Sequence, residues 1–408
     1  MTPQEEMQHS FAQMFKISAL AWGDPAVAAA RASAAPQAMY TALTAECPVK
    51  DLGEGMFRVT SMADIVAITR NHDVVQGSQY LGSDRPAIPL GLDGPIHKQY
   101  RHMLDPVFTA KRIDPLGAQV QQLADELIDG FIAKGECDAY HEWCEPLPSI
   151  IFLSIMGLPL AEYANFHNFK NLILGNSDFG EITPEERMKR TGEAVMWLQN
   201  YFNSDLDARE QEAAPRDDMI GWLLTAEVDG HRLGRTEMLD ILGLLMIAGL
   251  DTVAASLGCF LSFLASNPEQ RRRLVDDPTL TRSAIEELMR YECPVTEGYR
   301  VATADIDLPS GVHVPAGSWM LISWSGANLD PAVFTDPLTV DFERKPNAHI
   351  GFASGFHRCL GSHLARLELS VALNAWHARI PNYRIADGTE LVYSGNPRAP
   401  HHLPLVWS

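Results

Sequence analysis

The sequence predicts a mainly α protein with a small β region, and three observations support this fold class. Helical periodicity dominates from residue 96 to about 275. The longest candidate helix covers about 236–266 and is apolar almost all round over 241–250, as expected of a helix through the centre of a large protein. After Pro294 the chain changes to short apolar segments separated by Pro-Ser-Gly and Pro-Ala-Gly turns, which predict small β-hairpins.

The remaining elements follow from local patterns. Ala-rich sequence predicts a helix around 24–45, alternation over 55–60 predicts a strand, and 61–70 reads as a short helix after it. Residues 77–95 are rich in Gly and Pro and predict a long loop, which in a compact protein usually has a function. Breaks in the helical region are predicted at 114–115, 157–159, 175–176 and 214–215, and hairpin strands at 299–302, 305–308 and 319–324.

Composition places the chain among ordinary globular proteins. Its 408 residues are 46% hydrophobic and 21% charged, so it can bury a large core, and no repeat or linker suggests a boundary. We therefore predict one domain over 1–408, with 1–45 forming an N-terminal extension and first helix. The net charge of −20 argues against nucleic-acid binding.

Cysteine usage and hydropathy bear on location. The six cysteines lack disulfide-framework or zinc-ligand spacing, which suggests reduced thiols. The N-terminus has no basic and apolar signal pattern, and the apolar runs 150–156 and 241–250 are too short to cross a bilayer. These features predict a cytoplasmic protein without membrane insertion.

One cysteine lies in a glycine-rich loop. Gly355 precedes Cys359 by four residues, Gly361 follows by two, and the loop leads directly into a helical run over 362–369. Glycine permits sharp turns or the close approach of a flat ligand, and a helix N-terminus favours a thiolate. The pattern suits a thiolate ligand to haem iron. The alternative, a buried structural cysteine in a turn, is the usual fate of a lone cysteine.

The long helix carries polar residues at its apolar centre. Gly249, Asp251 and Thr252 are locally unfavourable helix residues. Leu244, Ala248, Asp251 and Thr252 share one face, which suits a wall over a flat cofactor with a proton route beside it. The alternative is a helix kink or an internally satisfied polar pair.

Both stretches resemble the cytochrome P450 family. The spacing Phe352, Gly355, His357, Cys359 and Gly361 closely resembles the family's haem-binding loop. The string Ala-Gly-Leu-Asp-Thr over 248–252 resembles its oxygen-activating helix, and every position matches.

Further motifs extend the resemblance to residues 50–400. Glu287 and Arg290 resemble the family's structural Glu-x-x-Arg pair, and Arg344 matches the second arginine that joins it. The residues that match the family's haem-propionate ligands are His97, Arg101, Arg300 and His357. Two departures, Asp93-Gly94-Pro95 and Asn328-Leu329-Asp330, put local loop packing in doubt.

The resemblance implies a single P450-type helical fold with haem b buried between the long helix and the cysteine loop. It implies that Cys359 is the metal ligand and that Asp251 and Thr252 deliver protons to dioxygen. The implied reaction inserts one oxygen atom from O2 into a hydrophobic small molecule. Because no nicotinamide or flavin fingerprint is visible, electrons are expected from a 2Fe-2S ferredoxin with an NAD(P)H-dependent reductase. A monomer is expected.

The resemblance also places Leu244, Ala248 and Val295 in the substrate pocket, with apolar residues of the 77–95 loop and of 172–179. A terpenoid, fatty acyl or aromatic substrate would suit these walls. Two rivals stay open: a peroxide-using enzyme or dehydratase, and a haem-thiolate sensor or electron carrier. Because the Asp251–Thr252 pair is intact, we favour a monooxygenase over both of these functions. A basic patch for an acidic ferredoxin is predicted at Lys98, Lys111, Arg112 and Arg358.

Overall fold

The structure, a computed structural model, describes residues 24–75, 86–174 and 183–408. Tyr80 and Leu81 of the predicted loop, and Phe179 of the predicted pocket wall, lie outside these ranges. The helices are α1 (Pro25–Ala32), α2 (Gln37–Glu46), α3 (Met62–Thr69), α4 (Gly94–Leu104), α5 (Ala110–Ile113), α6 (Gly117–Phe131), α7 (Pro146–Met156), α8 (Tyr163–Leu174), α9 (Pro184–Glu210), α10 (Met219–Thr225), α11 (Arg235–Ser266), α12 (Pro268–Asp276), α13 (Thr281–Glu292), α14 (Trp324–Asn328) and α15 (Ser362–Arg379).

The strands are short. They are β1 (Val49–Gly53), β2 (Met56–Val59), β3 (Val74–Val75), β4 (Glu136–Asp138), β5 (Glu227–Val228), β6 (His231–Arg232), β7 (Glu297–Ala302), β8 (Ile306–Asp307), β9 (His313–Val314), β10 (Trp319–Ser323), β11 (Tyr383–Ile385), β12 (Tyr393–Ser394), β13 (Ala399–Pro400) and β14 (Pro404–Trp407). The predicted fold class, mainly α with a small β region, is confirmed.

The described chain forms two compact units. The first comprises Val75–Thr109 and Ser149–Leu250, and the second comprises residues 24–74, Ala110–Pro148 and Asp251–Ser408. The division falls inside the long helix α11, after Leu250. A compact unit is not the same as an independently folding domain, so the prediction of one domain over 1–408 stays a prediction.

In the first unit, α8 packs against α9 through aromatic side chains. The ring of Phe166 lies edge-on to Trp197 and Tyr201, with centroid distances of 5.2 and 5.1 Å. Arg209, near the end of α9, donates to both carboxylate oxygens of Asp218 at 2.9 Å and to the carbonyl of Gly157 at 2.6 Å. This one guanidinium joins the end of α9 to the N-cap of α10 and to the turn after α7.

The second unit contains four strands of a five-stranded sheet with the order β1-β2-β10-β7-β3, and the division of the chain falls inside β3, after Val74. The predicted hairpin strands β7 and β10 pair antiparallel, with Met320 opposite Arg300. Strand β10 also pairs parallel with β2, a long-range pairing that sequence periodicity does not reveal. The apolar face of the sheet packs into a core that includes Phe57, Val59 and Ile322.

Local predictions are confirmed with adjusted boundaries. The long helix covers Arg235–Ser266, the strand near 55–60 covers Met56–Val59, and Ser61 caps the short helix after it by accepting from the N–H of Asp64. The helix predicted around 24–45 is two helices, α1 and α2. They are interrupted before Pro36, since a proline lacks an N–H and disfavours helical backbone in the residue before it.

By length and composition α11 could cross a membrane, with a mean hydropathy of 1.9 over 18 residues. The whole helix has 32 residues and is therefore much longer than the apolar run 241–250, which alone is too short to cross a bilayer. However, 78% of the 18-residue window is buried inside the protein. Burial of this extent is typical of the core helix of a globular protein.

Candidate active site

The cysteine loop is shaped by its own backbone and by α3. The N–H of Cys359 donates to the carbonyl of Phe352 at 2.9 Å, which closes the loop. Gly355 has a φ of +69°, and a Cβ there would lie 1.9 Å from the carbonyl oxygen of Thr69. Glycine is therefore required at 355 for two reasons, positive φ and close backbone approach.

Side chains of α13 and α15 hold the start of this loop. Arg366 donates to the carboxylate of Glu286 at 2.6 and 2.7 Å and covers the ring of Phe352, with the guanidinium carbon 4.2 Å from the ring centroid. His349 contacts the same carboxylate at 2.9 Å. Burial alone would raise the pKa of Glu286, but the hydrogen bonds with Arg366 and His349 lower it to about 2. Phe352 therefore belongs to the scaffold of the loop.

Cys359 differs from the other cysteines in exposure. Its side chain is exposed, whereas Cys137, Cys144, Cys259 and Cys293 are buried and Cys47 is intermediate. Burial raises the pKa of the four buried thiols and keeps them protonated. Among the described residues, a Cβ on Gly361 would meet no atom within 4 Å, so this end of the loop is not packed against them. An exposed thiol in such a loop fits a planar cofactor with an axial thiolate.

The motif on the long helix is partly a packing feature. A Cβ on Gly249 would lie 2.3 Å from the ring of Phe152, so glycine allows α11 and α7 to approach closely. The hydroxyl of Ser256 donates to the carbonyl of Thr252 at 2.8 Å. Asp251 is buried, Thr252 is half-buried and Ala248 is exposed. On the predicted cofactor face, Ala248 and Thr252 are thus accessible, whereas Leu244 and Asp251 are buried.

The predicted propionate ligands come from both units. His97 is buried and Arg101 is half-buried, and they lie one turn apart on α4 in the first unit, where Arg101 also pairs with Asp105 at 3.4 Å. Arg300 on β7 and His357 in the cysteine loop belong to the second unit. The guanidinium of Arg300 is buried and donates to its neighbour's carbonyl at 2.6 Å.

The Glu-x-x-Arg prediction is confirmed as a structural cluster. Arg290 donates to Glu287 at 2.7 and 2.9 Å, and Arg344 donates to the same carboxylate at 3.1 Å. The departure at 328–330 does not disturb packing. The side-chain Oδ1 of Asn328 accepts from the N–H of Ile350 at 2.7 Å, and the intervening leucine is buried.

A cavity in the first unit was only partly predicted. Its walls come from α8, α9, α11 and Ala87, and the lining residues include Phe169, Ile173, Val195, Leu198, Phe202 and Ile247. Two polar side chains, Gln199 and Asp240, also line it. Ile173 falls in the predicted wall region, but the α9 residues were missed. Their spacing of three, four and seven residues along one helix face was the available signal.

The predicted pocket residues divide between the units. Leu244 is buried and Ala248 exposed on the first-unit part of α11, and Val295 is half-buried against the core of the five-stranded sheet in the second unit.

Comparisons with known proteins agree on one family. The family model described as Cytochrome P450 matches residues 69–376. Mycinamicin IV hydroxylase/epoxidase of Micromonospora griseorubida is 32% identical over 369 residues, covering 87% of this chain and 90% of that protein. Steroid C26-monooxygenase of Mycobacterium tuberculosis is 31% identical over 363 residues, covering 88% and 90%.

A solved structure supports the same assignment. The crystal structure of P450BioI in complex with acyl carrier protein ligated to hexadec-9Z-enoic acid has a TM-score of 0.82 and 27% sequence identity, covering 91% of this chain and 98% of that chain. The matched family model spans well over half of the sequence. The chain therefore belongs to the cytochrome P450 family, as a haem-thiolate monooxygenase of the bacterial type whose cofactor is haem b.

Proposed function

We propose that Cys359 is the axial thiolate of a monooxygenase that inserts one oxygen atom from O2 into a hydrophobic small molecule. The observation that carries the proposal is the exposure of Cys359 in a glycine-framed loop, while the other five cysteines are buried or half-buried. The helix α15 begins three residues later, and its N-terminal dipole favours a negative sulfur. When bound, haem supplies the iron at which O2 is activated.

A spectrum tests the thiolate. Cys359→His should abolish the carbon monoxide absorption band of the reduced protein that gives the family its name, because that band requires thiolate ligation. Cys47→Ala, at a half-buried cysteine, is the control and should keep it. A Cys359→His protein with an unchanged band would refute the assignment.

In this proposal Asp251 and Thr252 move protons to the site of oxygen activation, and His97, Arg101, Arg300 and His357 bind the propionates. Thr252→Ala should leave NADH oxidation running while product falls and hydrogen peroxide rises, and Asp251→Asn should slow the whole cycle. Ser256→Ala, one turn further along α11, is a matched control. Equal product per NADH in wild type and Thr252→Ala would show that the threonine is only structural.

The lining of the cavity in the first unit supports a mostly apolar substrate with a few polar groups. Apolar side chains form most of its wall, and Gln199 and Asp240 can orient a hydroxyl, keto or amino group. Terpenoids, fatty acyl chains and aromatic compounds fit this description. One relative is named for a steroid and another for mycinamicin IV.

Ligand-induced spectral shifts test the substrate class. A panel of a steroid, a terpenoid, a fatty acid and an aromatic compound would be scored by the low-spin to high-spin shift of the haem. Phe202→Ala should lower the affinity for the ligand that gives the largest shift. Met196→Ala, at an exposed position of the same helix, should leave that affinity unchanged. Equal affinity in both variants would exclude this cavity from substrate binding.

We also propose that a 2Fe-2S ferredoxin, reduced by an NAD(P)H-dependent reductase, docks on the second unit near the cysteine loop. Lys111 and Arg112 are exposed on α5, which packs against α15, and Arg358 is exposed beside Cys359. Lys98 is also exposed but belongs to the first unit. These cations stand out on a chain of net charge −20 and suit an acidic partner.

The rate of first electron transfer tests the docking surface. It should fall as ionic strength rises, and fall further in Lys111→Glu/Arg112→Glu, because salt screens steering beyond a Debye length of about 10 Å at 0.1 M. Lys50→Glu, an exposed reversal on β1, is the control. A rate insensitive to salt and to the double reversal would place the partner elsewhere.

We also propose that the protein is a cytoplasmic monomer. Size-exclusion chromatography tests the oligomeric state.

A further inference from the structure

Three potential metal ligands converge in the second unit away from the cysteine loop. They are Asp138 at the end of β4, His141 in a π-helical turn over Tyr140–Cys144, and His402 just before β14. One ligand atom from each lies within 4.8 Å of those of the other two. The family motifs leave this group unexplained.

The backbone fixes these three residues relative to one another. Strand β14 pairs with β4 so that Pro404 lies opposite Asp138, and the N–H of Ala139 donates to the carbonyl of Leu403 at 2.8 Å. His402 is thereby held beside Asp138, although 264 residues separate them in sequence. The π-helical turn, closed by the Glu145 N–H donating to the Tyr140 carbonyl, positions His141 next to both. Such turns are frequent at functional sites.

Surrounding groups orient the ligand atoms. One oxygen of Asp138 accepts from the N–H groups of Leu403 at 2.9 Å and Tyr140 at 3.2 Å, and the other oxygen contacts Nδ1 of His402 at 2.7 Å. Nδ1 of His141 contacts the buried carboxylate of Glu145 at 2.7 Å. Glu145 is therefore placed as the usual outer partner of a metal-bound imidazole, with the metal on the other ring nitrogen of His141.

We propose that Asp138, His141 and His402 form a binding site for a divalent transition-metal ion of the zinc type. Two imidazoles and one carboxylate match the three protein ligands of zinc sites that keep a fourth position for water. Bond lengths of about 2.0–2.2 Å require the three atoms to move closer together than 4.8 Å. The exposed ring of His402 can supply this movement by rotating about its side-chain bonds.

The ligand set also sets selectivity. Imidazole nitrogens suit Zn²⁺, Ni²⁺ and Cu²⁺, whereas Mg²⁺ and Ca²⁺ prefer oxygen ligands only. Because the metal would join β4 and the π-helical turn to the chain before β14, it would bind the folded protein and not the unfolded one. Bound metal should therefore raise the melting temperature.

The test is calorimetric titration of the haem-loaded enzyme with zinc chloride. Wild type should bind one Zn²⁺ per chain at this site, and both His402→Ala and His141→Ala should lower the affinity about tenfold or more. His313→Ala is the matched control, because His313 is an exposed histidine whose ring contacts Asp307 at 2.8 Å outside any three-ligand group of the described chain. Excess Mg²⁺ should not compete, and Ni²⁺ should.

Two further readouts guard against misfolding and against other zinc sites. Zinc should raise the melting temperature of wild type and His313→Ala but not of His402→Ala, whose exposed ring can be removed without loss of folding. Anomalous diffraction from a zinc-soaked crystal should place the ion between the three side chains. Equal affinity in wild type, His141→Ala and His402→Ala, or an ion located only elsewhere, would overturn the proposal.

Discussion

Two buried ion clusters lie in the second unit, one around Glu287 and one around Arg398, and they differ in how completely hydrogen bonds satisfy the carboxylates. Glu287 is fully buried and accepts from Arg290 at 2.7 and 2.9 Å and from Arg344 at 3.1 Å. A backbone N–H at 2.9 Å and an asparagine amide at 3.1 Å complete its shell. The remaining donors of Arg290 reach three backbone carbonyls.

The second cluster is less complete. Arg398 is equally buried, but it meets Glu292 through one contact of 3.2 Å, and its other terminal nitrogen donates to the carbonyls of residues 33–34. Its Nε has no hydrogen-bond partner among the described residues. Burial raises the pKa of Glu292, and burial raises the pKa of the nearby Glu297 to about 7 although Arg31 opposes it.

The clusters differ in the number of donors that each buried carboxylate receives. Burial disfavours the charged form of a carboxylate, and hydrogen bonds donated to its oxygens favour it. The Glu287 cluster has two arginines, a backbone N–H and an amide on one carboxylate. The Arg398 cluster divides fewer donors among two carboxylates. We therefore expect the first to depend on its charges and the second to tolerate their loss.

The largest expected effect is at Arg290. Arg290→Ala would leave the carboxylate of Glu287 buried with half of its cationic partners gone and three carbonyls without their donor. Breaking a buried pair from one side costs about 3–5 kcal/mol. The free energy of unfolding of the holoprotein measures this loss, and a fall in the yield of haem-loaded protein would report an unstable variant.

Arg273→Ala is the control for Arg290→Ala. Arg273 pairs with Glu343 at 3.1 Å on the surface, with both side chains more than a third exposed. Exposed pairs contribute about 0–1 kcal/mol, so this variant should be nearly as stable as wild type. Equal stability of the two variants would contradict the importance given to donor density.

The sequence predicted the first cluster and missed the second for a physical reason. Glu287 and Arg290 are one turn apart on α13, so their contact follows from helix geometry. Arg344 was added only by the family resemblance. Arg398 and Glu292 are 106 residues apart, and Arg398 reaches Ser33 across 365 residues. No local pattern encodes such contacts.

The same limit applies to the fold and to the candidate site. The helix α11 and the cysteine loop were predicted because periodicity and glycine spacing are local. The parallel pairing of β2 with β10 and the approach of His402 to Asp138 were not, because tertiary packing alone brings these segments together. The structure also gives two motif glycines a packing role that the sequence did not reveal, Gly249 against Phe152 and Gly355 against Thr69.

A smaller effect is expected at Arg398. Arg398→Met keeps an apolar stem but removes the guanidinium, which covers the ring of Tyr393 and donates to two carbonyls. Leaving buried acceptors unsatisfied costs about 1–3 kcal/mol, and Glu292 can take up a proton because burial already raises its pKa. Adding Glu292→Gln should recover part of the loss, as a double-mutant cycle would show. A loss as large as that of Arg290→Ala would remove the distinction between the clusters.

The most specific effect is on pH dependence. The pKa of Glu297 is raised in the folded protein from its ordinary value of 4.5 to about 7, chiefly by burial. Between these values the unfolded chain has lost this proton and the folded protein keeps it. Stability therefore falls as pH rises from 4.5 to 7, by at most about 1.4 kcal/mol per pH unit for one group. Glu297→Gln should remove this slope, measured as the free energy of unfolding across that range relative to wild type.

Glu286 provides the opposite case within the same unit. Its folded pKa of about 2 lies below the ordinary 4.5, since hydrogen bonds with Arg366 and His349 outweigh its burial. Its contribution is therefore present above pH 4.5 and is lost as pH falls towards 2. Glu286→Gln should change stability at acid pH and leave the slope between pH 5 and 7 as in wild type. If the free energy of unfolding of Glu297→Gln instead changed with pH as in wild type over pH 5–7, Glu297 would be ionised when buried. The two clusters would then not differ in the way described.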